Sequence, residues 1–291
     1  MQTVEESIEN MPIYIRDNLR NYMPAIHLLL NGEEEEVKWD YIALKYRETQ
    51  LSRKRQVDAL SPEDKIFFEA CFLDIVARLV TGDRTFVNLV RFINTIFLDL
   101  IAKTDERERK LLPKTIYNML VSMDARYLNY VGELAVLNNL KSSGFVLQQT
   151  EEPLVPEDGE TTTIDFTVKN DKFTLLVEVY NIQGLDDIVD LTADKLKKIL
   201  IRKLKKKRYN KQKGSDKLFY IVPVIWAQYS VLKMVHNCYE EIKNEISGAT
   251  VEPSAFVTIT HKVTGETKIL FGAINNLILQ EDNGENDINP L

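Results

Sequence analysis

The segment from Gly132 to Ile182 reads GELAVLNNLKSSGF, a polar loop, TTTIDFTV, KNDK and FTLLVEVYNI, and its second half decides the fold. Ile164, Phe166 and Val168 alternate with Thr163, Asp165 and Thr167, while Phe173, Leu175, Val177 and Val179 alternate with Thr174, Leu176, Glu178 and Tyr180. This period of two predicts a β-hairpin with one wholly apolar face. A two-residue turn centred on Asn170-Asp171 pairs Phe166 with Leu175, Ile164 with Val177 and Asp165 with Leu176. The other face carries Thr163, Asp165, Glu178 and Tyr180, with Glu178 the diagonal neighbour of Asp165. Diagonal neighbours lie about 7–8 Å apart, so the two carboxylates can lean over one cation that takes oxygen ligands at about 2.0–2.6 Å. The inference rests on register, because a slip of one residue would send the two acids to opposite faces.

A third carboxylate comes from the preceding helix, expected over Tyr127 to Ser143 and closed by Gly144 as a C-cap. At about 100° per residue, Tyr130, Val136, Leu137 and Leu140 all project within roughly 60° of Glu133, which therefore stands inside the apolar face. A carboxylate there is costly to bury unless it is paired, protonated or bound to a cation.

A helical Glu, a strand Asp, a hairpin and a strand E-x-K position in this order resemble the PD-(D/E)XK nuclease superfamily, over roughly Lys114 to Trp226. The resemblance implies an α/β fold of the restriction-endonuclease-like type, with a mixed sheet flanked by helices. It also implies metal-dependent hydrolysis of phosphodiester bonds, with Mg²⁺ or Mn²⁺ held by Asp165 and Glu178 and with Glu133 as ligand or outer partner. Ile164 stands where many members have Pro, and Tyr180 stands where the E-x-K lysine belongs. Some members supply that lysine from a neighbouring element. The expected basic helix offers Lys203, or failing that Lys207, on a stripe with Leu196, Ile199 and Leu200. The candidate catalytic set is Asp165, Glu178, Tyr180, Lys203 and Lys207. The alternative is a catalytically inactive module of the same fold that binds nucleic acid or a protein partner.

Charge distribution supports a polyanionic partner. The chain of 291 residues has a net charge of −7, yet Lys195 to Lys217 holds twelve Lys or Arg against Asp216 alone, a local +11 that leaves −18 elsewhere. Such a basic strip on an acidic body is a local electrostatic footprint. The residues expected to meet nucleic acid are Lys198, Arg202, Lys205, Lys206, Arg208 and Lys211. DNA is favoured over RNA, although no stacking motif or groove-reading module separates the two. Like-charged neighbours on this helix cost only about 0.2–0.5 kcal/mol per pair, less than burial of its leucines returns at about 1.5–3 kcal/mol each. The helix can therefore fold without a polyanion.

At 44% hydrophobic composition the chain can fill one large domain or two smaller ones. No apolar run reaches the roughly 20 residues of a membrane span, and MQTVEESIEN is unlike a signal peptide. A cytoplasmic location is expected, or a nuclear one in a eukaryote. Cys71 and Cys238 form no C-x-x-C pair, and His27, His236 and His261 are scattered, so neither a zinc site nor a thiol or histidine centre is expected. No glycine-rich phosphate loop is present.

Residues 1–112 read as an N-terminal helical region. It comprises a helix or broken pair around Pro24, a charged run anchored by Trp39, Tyr41, Ile42, Leu44 and Tyr46, a helix over Lys65 to Val80 started by Ser61-Pro62-Glu63-Asp64, and an apolar helix over Thr85 to Lys103. This region could also carry a protein partner or a homo-oligomer contact, which makes an interaction scaffold a third reading. The charged break Thr104 to Lys110 with Pro113 marks the expected boundary. Residues 113–280 form the nuclease-like domain, in which a basic helix over Ile188 to Lys211 precedes LFYIVPVIW, a buried strand with Pro223 at its end or at a bulge. A helix over Ala227 to Ile246 and a second hairpin, SAFVTITHK with TKILFGAI, complete it. Residues 281–291 read as a disordered acidic tail.

Overall fold

The computed structural model describes residues 4–30, 38–61, 63–154, 162–212, 219–246, 252–261, 267–282 and 288–290. The chain divides into two units, residues 1–134 and 135–291.

The first unit is helical. It contains α1 (Val4–Tyr22), α2 (Pro24–Leu30), α3 (Trp39–Asp58), α4 (Phe72–Val80), α5 (Val87–Lys103), α6 (Glu106–Arg109), α7 (Pro113–Val121) and the start of α8 (Tyr127–Ser142). The chain breaks between α1 and α2 at Pro24, which lacks the N–H that would continue the first helix. The helix expected from Lys65 begins only at Phe72, where Cys71 is the N-cap and its N–H donates to Asp74 at 2.9 Å. Ser61 and Asp64 hydrogen-bond to each other in a local turn instead. Arg53 supplies the reason: its guanidinium bonds Asp74 at 2.7 Å and the Glu69 carbonyl at 2.7 Å, a carbonyl that a continuous helix would have used internally. Burial raises the Tyr46 phenol and the Cys71 thiol, the latter to about 12, and the nearby Asp74 carboxylate adds to both shifts. Cys71 is therefore an inert core thiol.

The division at 134/135 lies well past the expected boundary at 112/113. The charged break is itself folded, with Asp105 and Glu108 forming a reciprocal capping box on α6 and Glu108 buried. Beyond it, α7 buries Ile116, Met119 and Leu120 and packs on α2, α3 and α4, which ties it to the helical unit.

The second unit is a mixed sheet with helices. The strands are β1 (Val146–Leu154), β2 (Thr162–Lys169), β3 (Thr174–Ile182), β4 (Phe219–Trp226), β5 (Ser254–His261), β6 (Thr267–Ala273) and β7 (Ile288–Pro290), and the helices are α9 (Ala193–Gln212), α10 (Tyr229–Ile246) and α11 (Ile274–Asp282). The order is β1-β2-β3-β4-β5-β6, with β7 paired to β5. β1/β2, β2/β3 and β5/β6 are antiparallel, whereas β3/β4 and β4/β5 are parallel. Parallel neighbours need a crossover, and α9 and α10 supply the two. They pack on each other, with Leu196, Leu200 and Leu204 of α9 in one core with Val231, Leu232 and Val235 of α10 and Leu176, Ile221 and Ile225 of the sheet.

Several expectations are corrected here. The polar loop after Gly144 contains β1: Leu147 and Leu154 are buried while most of the polar residues between them keep contact with water. The later part of that loop, residues 155–161, lies outside the described residues. The basic helix starts at Ala193 rather than Ile188, with the Thr192 hydroxyl accepting from the Lys195 N–H at 3.3 Å as an N-cap. Pro223 sits inside β4 opposite Tyr180, not at its end; β5 pairs with β4 only from Val224 onward, so the strand is singly paired where the proline N–H is missing. The expected tail is in part ordered, since α11 extends to Asp282 and Ile288–Pro290 adds a strand to β5. The rest of it, 283–287 and 291, is outside the described residues, as are Pro62, Lys213, Lys217, Gly248 and the Thr264-Gly265 turn.

Candidate active site

The β2/β3 register runs Phe166 with Val177, Thr167 with Leu176, Val168 with Leu175 and Lys169 with Thr174. This is one place along from the expected pairing, because the turn is centred on Asp171-Lys172. Asn170 causes the shift: its side-chain oxygen accepts from the N–H groups of Lys172 at 2.9 Å and Phe173 at 3.0 Å, and its own N–H donates to the Phe173 carbonyl at 3.1 Å. A shift of two in the pair sum preserves parity, so Asp165 and Glu178 stay on one face. The same pair sum, carried one place beyond the last pair at Phe166/Val177, sets them opposite each other rather than diagonally.

Regular pairing of β2 with β3 ends at Phe166/Val177, although β2 continues against β1 to Thr162. At that point the Asp165 carboxylate replaces a backbone acceptor and takes the Val179 N–H at 2.7 Å. Glu178 is 1% exposed. Lys207 of α9 forms an ion pair with its Oε1, and Lys211 reaches the same oxygen at 3.1 Å while donating to the Thr163 carbonyl. The second oxygen, Oε2, is buried with no hydrogen-bond partner among the described residues, as is the Thr162 hydroxyl. An unpaired buried acceptor costs about 1–3 kcal/mol. The Lys207 ammonium also lies 5.4 Å from the centre of the Tyr180 ring, so the residue at the E-x-K position packs beneath the lysine that reaches Glu178.

The helix geometry explains which lysines arrive. Leu196, Leu200 and Leu204 are at most 1% exposed and define the buried line of α9. At about 100° per residue, Lys207 and Lys211 fall within roughly 20° of the middle of that line, Lys203 about 60° away and Ile199 about 100° away. Lys203 is half-buried and makes no ion pair with Glu178. Lys211, expected among the nucleic-acid contacts, is instead turned into the site. Lys198, Arg202 and Lys206 are exposed, Arg208 is half-buried, and Lys205 is exposed beside Glu245 of α10 at 3.5 Å. Lys197 pairs with Glu241, so α10 neutralises part of the basic strip.

Glu133 is half-buried on α8 and belongs to the first unit, whereas Asp165 and Glu178 belong to the second. Among the described residues no group of three or more acidic, histidine or cysteine side chains is placed to hold a metal ion. Both cysteines are buried and free, and the His236 ring meets Asn275 at 2.8 Å.

Burial, followed by the negative charge of Glu178, pushes the Asp165 carboxyl up to about 7, and the Val179 N–H, Lys207 and Lys211 limit the rise. For Lys207, burial pulls downward, but Glu178 outweighs it and holds the ammonium above its ordinary value. Burial raises the Tyr180 phenol while Lys207 opposes the rise. The Asp165 shift has a defined sign. A folded value of about 7 against about 3.9 unfolded gives stability that is complete below pH ~4 and is lost as pH rises toward 7. Asp165→Asn, which mimics the protonated form, should raise the Tm of chelator-treated protein by at least about 2 °C at pH 8 and by less at pH 5. An equal change at both pH values would contradict this electrostatic account.

No family model matches the chain, and no curated protein matches it in sequence. Among solved structures, SfsA of Pyrococcus furiosus in complex with Ca²⁺ matches with 15% identity and a TM-score of 0.23, over 52% of this chain and 64% of that one. The chain thus spans just under two thirds of that protein's length. At this score the likeness carries no argument, and the fold rests on the strand order and register above. Among the described residues no helix is long and apolar enough to cross a membrane.

Proposed function

We propose that this protein is a metal-dependent nuclease of the PD-(D/E)XK type acting on nucleic acid, in which Lys207 of α9 takes the role of the lysine replaced by Tyr180. The observation that carries the reading is the Asp165 carboxylate held on the Val179 N–H beside Glu178, with Lys207 on Glu178. Asp165 and Glu178 offer oxygen donors, and Glu178 Oε2 is buried and unpartnered, so the donor set suits a hard divalent ion such as Mg²⁺ or Mn²⁺. Bound there, the ion would supply an acidified water and charge neutralisation at the phosphate. Lys207 is held cationic by Glu178 and orients the attacking water. The exposed Lys198, Arg202 and Lys206 follow the phosphate backbone, with DNA as the expected substrate.

A second reading keeps the fold and the basic helix for binding alone. It is favoured by one observation: the two lysines on Glu178 offset the charge that a cation would otherwise offset. Incubation with single- and double-stranded DNA and RNA in Mg²⁺ or Mn²⁺ separates the readings, since the nuclease cleaves at least one substrate and the binding module cleaves none. Both require affinity that falls log-linearly with salt, with a slope of roughly −0.7 to −0.9 per phosphate contact. Charge reversal of Arg202, Lys206 and Arg208 to Glu should flatten that slope, and a salt-independent affinity would contradict both.

A further inference from the structure

We infer that the solvent face of α9 is a track for single-stranded nucleic acid, on which Lys198, Arg202 and Lys206 hold phosphates and Tyr209 stacks on an unpaired base. The inference rests on the nucleic-acid reading common to both proposals above and names the substrate class; it requires no metal. Leu200, 1% exposed, marks the centre of the buried line of α9. At about 100° per residue, Tyr209 falls about 180° from it, Lys198 and Arg202 lie within roughly 20° of Tyr209, and Lys206 lies within roughly 60°. The burial agrees: Tyr209 is 61% exposed, and Lys198, Arg202 and Lys206 are exposed with it. Lys207 and Lys211 stand on the opposite side of the helix, turned to Glu178, so the stripe and the buried acids are separate surfaces.

Charge placement singles out this arc. Glu241 and Glu245 of α10 take up Lys197 and Lys205, and the one acidic residue of α9, Asp194, stands in its first turn. Lys198, Arg202 and Lys206 follow one another at intervals of four residues, and Lys198 to Tyr209 spans about 16 Å along the helix axis, room for a short run of nucleotides. These cations alone would serve any polyanion. Tyr209 adds what a plain polyanion cannot use, a ring whose face is open to water. A base offers a matching face only where it is unpaired, because bases inside a duplex are already stacked on their neighbours. Cations that follow the backbone beside an aromatic ring that meets a base are the combination that binds single strands without reading their sequence. With most of its ring in water, Tyr209 also contributes little to the core, so its replacement leaves the fold intact.

The test is fluorescence anisotropy of the full chain in chelator with three labelled probes: single-stranded oligothymidine, a strand of the same length built of abasic units, and a duplex of that length. Wild type should bind oligothymidine at least about 5-fold tighter than the abasic strand. Tyr209→Ala should bind both single strands alike, at the affinity wild type shows for the abasic one, and should keep its duplex affinity within about 2-fold. Tyr209→Phe, which retains the ring, should behave as wild type. The salt slope on oligothymidine should be unchanged in Tyr209→Ala and smaller by about 0.7 in Arg202→Gln, which removes one phosphate contact. Equal oligothymidine affinity of wild type and Tyr209→Ala, or a loss in Tyr209→Ala of the same size on the abasic strand or the duplex, overturns the stacking role while leaving α9 a phosphate-binding helix. Absence of binding to all three probes by wild type overturns the nucleic-acid reading and this inference together.

Discussion

Glu178→Ala is expected to lower the Tm of the chelator-treated protein by about 6–12 °C. The substitution leaves Lys207 and Lys211 facing a buried gap, and removal of one partner of a buried ion pair typically costs about 3–5 kcal/mol. The lower part of that range applies because the two lysine side chains are 26% and 16% exposed and can turn partly toward water. At about 2–4 °C per kcal/mol for a unit of this size, the shift follows. Replacing Glu178, Lys207 and Lys211 together by Met should recover most of the loss, since a buried charge cluster is replaceable by apolar groups of similar volume. Thermal unfolding of the three proteins checks both statements. A fall below about 2 °C for Glu178→Ala would mean that the two lysines do not depend on this carboxylate.

Lys207→Ala should lower cleavage by about 10²–10³-fold, the usual effect of losing one group that stabilises developing charge. Oligonucleotide affinity should stay within a few-fold, because Lys207 points to Glu178 and the exposed cations of α9 remain. Lys203→Ala, on a residue that makes no ion pair with Glu178, should stay close to wild type. Restoring the lysine in the strand, as Tyr180→Lys in the Lys207→Ala background, should return part of the rate. A wild type inert on every substrate with activity appearing only in Tyr180→Lys would place the protein among binding modules.

The faces of the hairpin were legible because parity survives a two-place error in the pair sum: Asp165 and Glu178 share a face under either turn. The register itself was not legible, because it was set by the Asn170 side chain bonding two backbone N–H groups, a local interaction that alternation does not report. The mixed sheet, the crossover helices and the helical N-terminal region followed from period and apolar runs. The first strand did not, since Gln148, Gln149, Thr150, Glu151 and Glu152 read as loop, and it is the pairing of Gln149, Thr150 and Glu152 with β2, rather than burial of their own side chains, that holds the stretch in β1. The site lysine was half legible. Reading the stripe of α9 from Ile199 pointed to Lys203, whereas Leu204, which is 1% exposed, moves its centre toward Lys207 and Lys211. Of the helix expected over Lys65 to Val80 only Phe72–Val80 forms, because a start signal is local and Arg53, twelve residues earlier in sequence than Lys65, captures the Glu69 carbonyl. A boundary placed at a run of charge failed for a related reason, because Asp105 and Glu108 satisfy each other across a capped turn.

The most direct measurement is the Tm of chelator-stripped wild type titrated with Mn²⁺ to about 10 mM, beside Asp165→Asn and Glu178→Gln. Binding to the native state at ten times its dissociation constant stabilises by about 1.4 kcal/mol, or about 3–5 °C. The expected result is a saturable rise of that size in wild type, a smaller one in Asp165→Asn and none in Glu178→Gln. The same rise in all three proteins, or no rise in wild type, would contradict a metal site between Asp165 and Glu178.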